Sequence, residues 1–221
     1  MPKSPKYLLI GSIEASSGKS AIILGLSNQL HQTGLNVAYG KPLGKSLRES
    51  EGSLIEEDVE FITQSLNLSP NQIVPTLLGL NETTLQQRLS GKDTTDYQKS
   101  LKSEYLQDGL GDLDVLEGPG NLSEGNLFDL SLMQVAETLD AGIILVCRYK
   151  SLLAIEALLA AKQLVGERLI GLVINDVPPE HLQAVTNTMS PFLEQQDIPV
   201  LGVLPNSKLL RSVTVRELFQ Q

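Results

Sequence analysis

Residues 7–32 read YLLIGSIEASSGKSAIILGLSNQLHQ, and the order of their parts decides the fold. Tyr7–Ile10 is a short apolar run that reads as a first strand. Lys19–Gln32 sets Ile22, Leu26 and Leu30 at helical spacing on one face, and Gly34 closes that helix. Between strand and helix, Gly11 to Ser20 is a loop of small residues ending in Gly18-Lys19-Ser20. Such a loop lets backbone N–H groups point inward at an anion, and the start of the helix adds favourable partial charge. It reads as a phosphate loop: Ser16, Ser17 and Gly18 form the cradle, Lys19 reaches the outer phosphates, and the Ser20 hydroxyl holds Mg²⁺. The strict spacing G-x-x-x-x-G-K-[ST] asks for Gly at position 13, where this chain has Ile13, and Gly11 sits two places early. The bland alternative is a turn with an incidental lysine. Strand, small-residue loop, GKS and helix in the required order weigh against it.

Outward from this stretch, apolar runs alternate with helical patterns. Asn36–Tyr39, Leu113–Leu116, Gly142–Cys147, Leu169–Ile174 and Val200–Val203 read as strands. Glu56–Leu66, Thr83–Ser90, Thr94–Gln107, Leu130–Leu139, Leu152–Val165 and Glu180–Gln195 read as helices, with a helical tail over Ser207–Phe219. GIILVC at 142–147 is continuously apolar, as in a central parallel strand covered on both faces. The pattern gives an α/β fold of P-loop NTPase type: an open, mainly parallel sheet with helices on both faces, a three-layer αβα arrangement. Without linkers or repeats, residues 1–221 read as one domain, and Lys45–Gly52 as a mobile surface loop.

Composition narrows the chemistry. The net charge of −9 disfavours nonspecific binding of nucleic acid or an anionic membrane, yet leaves room for a local phosphate site. Aromatics are only 4% and Trp is absent, so Leu, Ile, Val and Ala must build the core. Cys147, the one cysteine, lies in an apolar run and reads as a packing residue. His31 and His181 sit on separate helical segments, so zinc is not expected. The start MPKSPKYLLIGS lacks the apolar length of a signal peptide, and no run approaches a membrane span. The expected location is the cytoplasm.

Four further segments carry candidate site residues. Lys41, in Gly40-Lys41-Pro42, follows the second strand, where open α/β sheets bind ligands; otherwise it is a solvated turn lysine. Asp58, in EEDVEFI, is taken alone an ordinary acid at a helix start. Glu117 ends a strand in DVLEGPGNL, where a carboxylate can bind Mg²⁺ directly or through water. Asn175 ends a strand in GLVINDVPPE; its carboxamide suits an adenine edge, or else caps the strand.

Together and in this order the segments resemble dethiobiotin synthetase, with its GKT loop, KP dipeptide, acid 17 residues on, EGAG turn and final NDV. Here these are Gly18-Lys19-Ser20, Lys41-Pro42, Asp58, Glu117-Gly118-Pro119-Gly120 and Asn175-Asp176-Val177. The chain is similar, more closely, to the dethiobiotin-synthetase-like domain preceding the catalytic region of long phosphotransacetylases. EEDVEFITQSLNL, AGIILVCRYKS, GLVINDVPPE and PVLGVLPNSKLLRSVTVREL have that domain's character. The resemblance implies MgATP as ligand, with Lys19 and Lys41 on the transferring phosphoryl group. It places Ser20, Asp58 and Glu117 at the metal, and Asn175 and Pro205 at the base. It also implies a homodimer formed across the active-site face.

The chain departs from the synthetase where the synthetase holds its diamine. Lys45 stands at a substrate position, TLLGLNETTLQQRL replaces a proline- and histidine-containing segment, and Pro119 removes one backbone donor. The expectation is an ATP-binding regulatory or sensor module with slow hydrolysis. Its alternatives are an ATP-dependent ligase acting on another small metabolite, and an interaction scaffold. The tail LLRSVTVRELFQQ is a candidate docking segment for a partner protein or domain.

Overall fold

Leu8 and Ile10 face one side of the first strand while Tyr7 and Leu9 face the other, and all four are buried. Two apolar faces on one strand require a sheet covered on both sides. The computed structural model, which describes residues 6–45, 47–50, 53–106 and 111–207, has that arrangement. Its elements begin β1 (Tyr7–Ser12), α1 (Lys19–Gln32), β2 (Val37–Gly40), β3 (Leu43–Gly44), β4 (Leu47–Ser50), β5 (Ser53–Glu56) and α2 (Glu57–Leu66). The middle of the chain gives β6 (Ile73–Val74), β7 (Leu78–Gly79), α3 (Glu82–Leu89), α4 (Tyr97–Tyr105), β8 (Leu113–Glu117) and α5 (Leu132–Leu139). The last third gives β9 (Gly142–Arg148), α6 (Ala154–Val165), β10 (Leu169–Val177), α7 (Leu182–Ala184), α8 (Ser190–Gln195) and β11 (Val200–Pro205).

The main sheet has seven strands in the order β11-β10-β9-β1-β8-β2-β6, every neighbouring pair parallel. β1 sits between β9 and β8, with Leu8 opposite Gly142 on one side and Val115 on the other. The chain leaves β1 in one direction and returns on the other, so a crevice opens at the carboxyl ends of these strands. Along β9, Ile143, Leu145 and Cys147 join one core while Ile144 and Val146 join the other. Each fully buried Leu or Ile contributes about 1.5–3 kcal/mol. Cys147 is a core residue as expected: burial pushes its thiol up to about 12, and it is chemically quiet.

Several expectations are corrected. The face of α1 carrying Ile22, Leu26 and Leu30 does pack against the second core as expected, but beside it runs a more buried line, Lys19, Ile23 and Ser27, that apolar spacing did not mark. Part of the stretch expected as a loop over Lys45–Gly52 is an antiparallel hairpin, β4 with β5, from Leu47 opposite Glu56 to Ser50 opposite Ser53. Its polarity misled, because backbone pairing needs no apolar side chain; Ser46, Glu51 and Gly52 lie outside the described residues. β6 extends the sheet beyond β2 with two residues, too few to show a period. The helix expected over Glu180–Gln195 is interrupted by a wide π turn at Val185–Met189. Pro191 lacks the N–H that would bond back to Asn187, and the wide turn relieves the crowding of its ring. α4 ends at Tyr105, while Gln107 and nearly all of the expected tail helix, from Lys208 onward, lie outside the described residues.

Candidate functional site

β1 ends at Ser12 and α1 begins at Lys19, so six residues make the turn. Ser16 (φ 57°) and Gly18 (φ 95°) take left-handed conformations there. α1 starts with no side-chain cap and no acidic residue in its first turn, which leaves its N–H groups and positive end turned to the cleft. Gly11 has a packing role: a Cβ on it would lie 2.6 Å from Leu132 Cδ1, and one on Gly118 would lie 2.7 Å from the same atom. Leu132, fully buried, thus seats the ends of β1 and β8 from below. The turn opens with Ile13, at the position where the strict pattern has glycine.

The cleft above this turn encloses about 490 Å³ and is lined by Ser16, Ser17, Gly18, Lys19, Ser20, Lys41, Asp58 and Glu117, among others. Every candidate phosphate and metal residue from four separated segments therefore meets in one place. The Lys19 ammonium donates to Ser12 Oγ at 3.2 Å, and Ser12 Oγ donates to the Gly120 carbonyl at 3.2 Å. Burial lowers the Lys19 pKa, opposed by the nearby charge of Glu117. Ser20 Oγ lies 3.5 Å from Glu117 Oε2, which also accepts from the Tyr39 hydroxyl at 3.0 Å.

Lys41 is almost fully buried among three carboxylates. It donates to Glu56 Oε1 at 2.6 Å and to Asp58, and lies 3.8 Å from Glu117 Oε1. Burial works against its charge, but Glu117, Asp58 and Glu56 outweigh it and raise its pKa. Burial raises the Glu117 pKa, with Lys41 and Lys19 acting in the opposite sense. On the far side of the cleft Glu124 accepts the Gly120 N–H and pairs with Lys45.

Asn175 lies at the edge of this cleft. Its Nδ2 donates to the Ser17 carbonyl at 2.9 Å, so in this structure the carboxamide braces the loop. Pro205 ends β11 opposite Val177, exposed and apart from the lining of the phosphate cleft. The buried Ser17 hydroxyl has no hydrogen-bond partner among the described residues.

Sequence reasoning missed Ser12, Tyr39, Glu56 and Glu124 as members of the site. Tyr39 directly precedes Gly40-Lys41, and strand alternation could have flagged it. Glu56 was legible only as the first acid of a helix start. Glu124 lies in a stretch without periodicity, and nothing local marks it.

A family model described as an AAA domain matches residues 6–214. Among curated proteins, cobyric acid synthase of Vibrio parahaemolyticus serotype O3:K6 is 28% identical over 90% of this chain and 46% of its own length. Phosphate acetyltransferase of Synechocystis sp. is 24% identical over 96% of this chain and 31% of its own. The chain thus spans less than half of these relatives. Among solved structures, the septum site-determining protein MinD of Pyrococcus horikoshii, complexed with Mg-ADP, superposes with a TM-score of 0.55 at 16% identity, covering 94% of this chain and 84% of that one. Chloroplast FtsY of Physcomitrella patens gives 0.55 at 17% identity, covering 92% and 59%. These two likenesses confirm the fold class. The finer resemblance to dethiobiotin synthetase rests on the motifs quoted above.

Proposed function

The chain belongs to the AAA domain family, and from that premise we propose that it is a MgATP-binding regulatory module with at most slow hydrolysis. The observation that carries this reading is the convergence of Lys19, Ser20, Lys41, Asp58 and Glu117 on one cleft at an uncapped helix start. The N–H groups of the loop and Lys19 would hold the β- and γ-phosphates, and Lys41 would meet the γ-phosphate from the opposite wall. Asn175 would take the adenine edge only by sharing or releasing its bond to Ser17.

The donors also fit Mg²⁺. Ser20, Asp58 and Glu117 offer oxygen only, and among the described residues no cluster of three or more His, Cys, Asp or Glu side chains is arranged to hold a metal by itself. That suits an ion that keeps its waters and shares phosphate oxygens with one or two carboxylates. The ion would neutralise phosphate charge; without it, Lys41 gathers Asp58 and Glu117 on one wall of the cleft, from which both could turn to the ion.

The regulatory reading is favoured over a synthetic one by the pairing of Glu124 with Lys45 and the Gly120 N–H. The polar groups beside the phosphate loop are turned on one another instead of standing open for a second substrate. A ligase acting on a small metabolite is the second reading, favoured by the similarity to cobyric acid synthase. We read residues 1–221 as one unit that works in the cytoplasm and pairs with a second copy across the cleft face. No helix among the described residues is long and apolar enough to cross a membrane.

Calorimetric titration of MgATP, with ADP release followed in parallel, tests the proposal. Binding that disappears in Lys19→Ala, with little turnover, is the expected result. Turnover that rises on adding diamines and bicarbonate would move the case to the ligase. No binding by the wild type would sink the nucleotide reading.

A further inference from the structure

Glu56 has no assigned part in the cleft, yet its side chain is 1% exposed and both its oxygens are engaged. Oε2 accepts the backbone N–H groups of Asp58 at 2.8 Å and Val59 at 3.1 Å, capping α2. Oε1 accepts the Lys41 ammonium at 2.6 Å. The stem of Glu56 runs past Gly44, where a Cβ would overlap Glu56 Cγ. The chain therefore keeps a glycine on β3 that gives this carboxylate its path.

We infer that Glu56 is the positioning residue of Lys41, tying the ammonium to the first turn of α2 so that lysine and helix start form one rigid unit. The other two carboxylates around Lys41 differ in kind. The Asp58 side chain is 48% exposed, and Glu117 also faces Ser20, so both can turn to a cation. Glu56 cannot turn without stranding two N–H groups at the start of α2. When a cation takes up Asp58 and Glu117, Glu56 alone keeps Lys41 aimed into the cleft. This last step rests on the nucleotide reading; the tie between Glu56 and Lys41 does not.

Glu56→Asp separates the two roles, since aspartate caps helices well but its shorter stem does not reach Lys41. The first readout needs no nucleotide: acetylation of each lysine by acetic anhydride, followed by mass spectrometry, in wild type, Glu56→Asp and Glu56→Gln. The expected result is acetylation of Lys41 several-fold faster in both variants, because an ammonium freed from its buried tie to Glu56 swings toward the reagent, with Lys19 unchanged. Equal acceleration at Lys19, or none at Lys41, overturns the inference. The second readout is MgATP affinity in Glu56→Asp, Lys41→Met and the double variant. Glu56→Asp should weaken binding about tenfold alone and not at all when Lys41 is already gone. The same loss in both backgrounds would show that Glu56 acts through the fold, and would overturn the inference. If wild type fails to bind MgATP, the nucleotide reading falls and the acetylation result still decides the role of Glu56.

Discussion

The carboxamide of Asn175 lies where a side chain on Gly18 would begin, and its Nδ2 holds the carbonyl of the preceding residue, Ser17, at 2.9 Å. The end of β10 and the start of α1, far apart in the chain, are thus fitted to each other.

Gly18→Ala meets two obstacles there, the φ of 95° and the Asn175 side chain. It should weaken MgATP binding at least tenfold, a cost of about 1.4 kcal/mol on the affinity scale. Asn175→Ala removes the steric part, so Gly18→Ala should cost less affinity in the Asn175→Ala background than in wild type in calorimetric titration. The same cost in both backgrounds would place it wholly in the backbone.

Asp114 is the least comfortable group in the sheet. It is buried on β8, and neither carboxylate oxygen has a hydrogen-bond partner among the described residues. Burial raises its pKa to about 6 from 3.8, with Lys6 opposing only in part. The folded state therefore holds the proton more tightly than the unfolded one. This contribution to stability is full below about pH 4 and is lost as pH rises through about 6, a change on the order of 2–3 kcal/mol. Asp114→Asn should raise the melting temperature by several degrees at pH 7.5 and by little at pH 4. An equal effect at both pH values would disprove this account.

Much of this molecule was legible in residues 7–32. A loop of small residues between a strand and a helix has a distinct local signature, and α1 begins and ends where the spacing placed it. The residues that line the cleft were legible where one stands at or just past an element end, as with Lys41 and Glu117, while Asn175 lies inside β10 and braces the loop. The site was illegible where the partner is chosen by tertiary approach. Glu124 meets Lys45 only because β3 and the turn after β8 face each other across the cleft. The β4–β5 hairpin escaped for a related reason, since its pairing is made by backbone groups that every residue carries.

Leu132 supports the phosphate loop from beneath, against Gly11 and Gly118. Leu132→Ala should cost about 2–5 kcal/mol, the usual range for a cavity left by a buried leucine. The urea midpoint should fall with an unchanged slope. Because the cavity would open under the ends of β1 and β8, MgATP affinity should fall as well, which a leucine elsewhere in the core would not cause.

Cys147, with its thiol pushed up to about 12 and 1% exposed, should not react with a disulfide reagent in the folded protein at pH 8. Its labelling rate should track global unfolding across a urea series. Rapid labelling in buffer alone would show that β9 opens locally.

The place of β1 between β8 and β9 has a consequence for how the protein is made. The ribosome completes the phosphate loop and Lys19 long before the strands that flank them, since β1 pairs with Leu113–Glu117 on one side and Gly142–Arg148 on the other. Until residue 146 or so has left the exit tunnel, the loop has no sheet to stand on, and the nascent chain carries a bare apolar strand. Every strand pairing that holds β1 in the sheet is long in sequence, so this sheet should form slowly and should gain most from a chaperone during that interval.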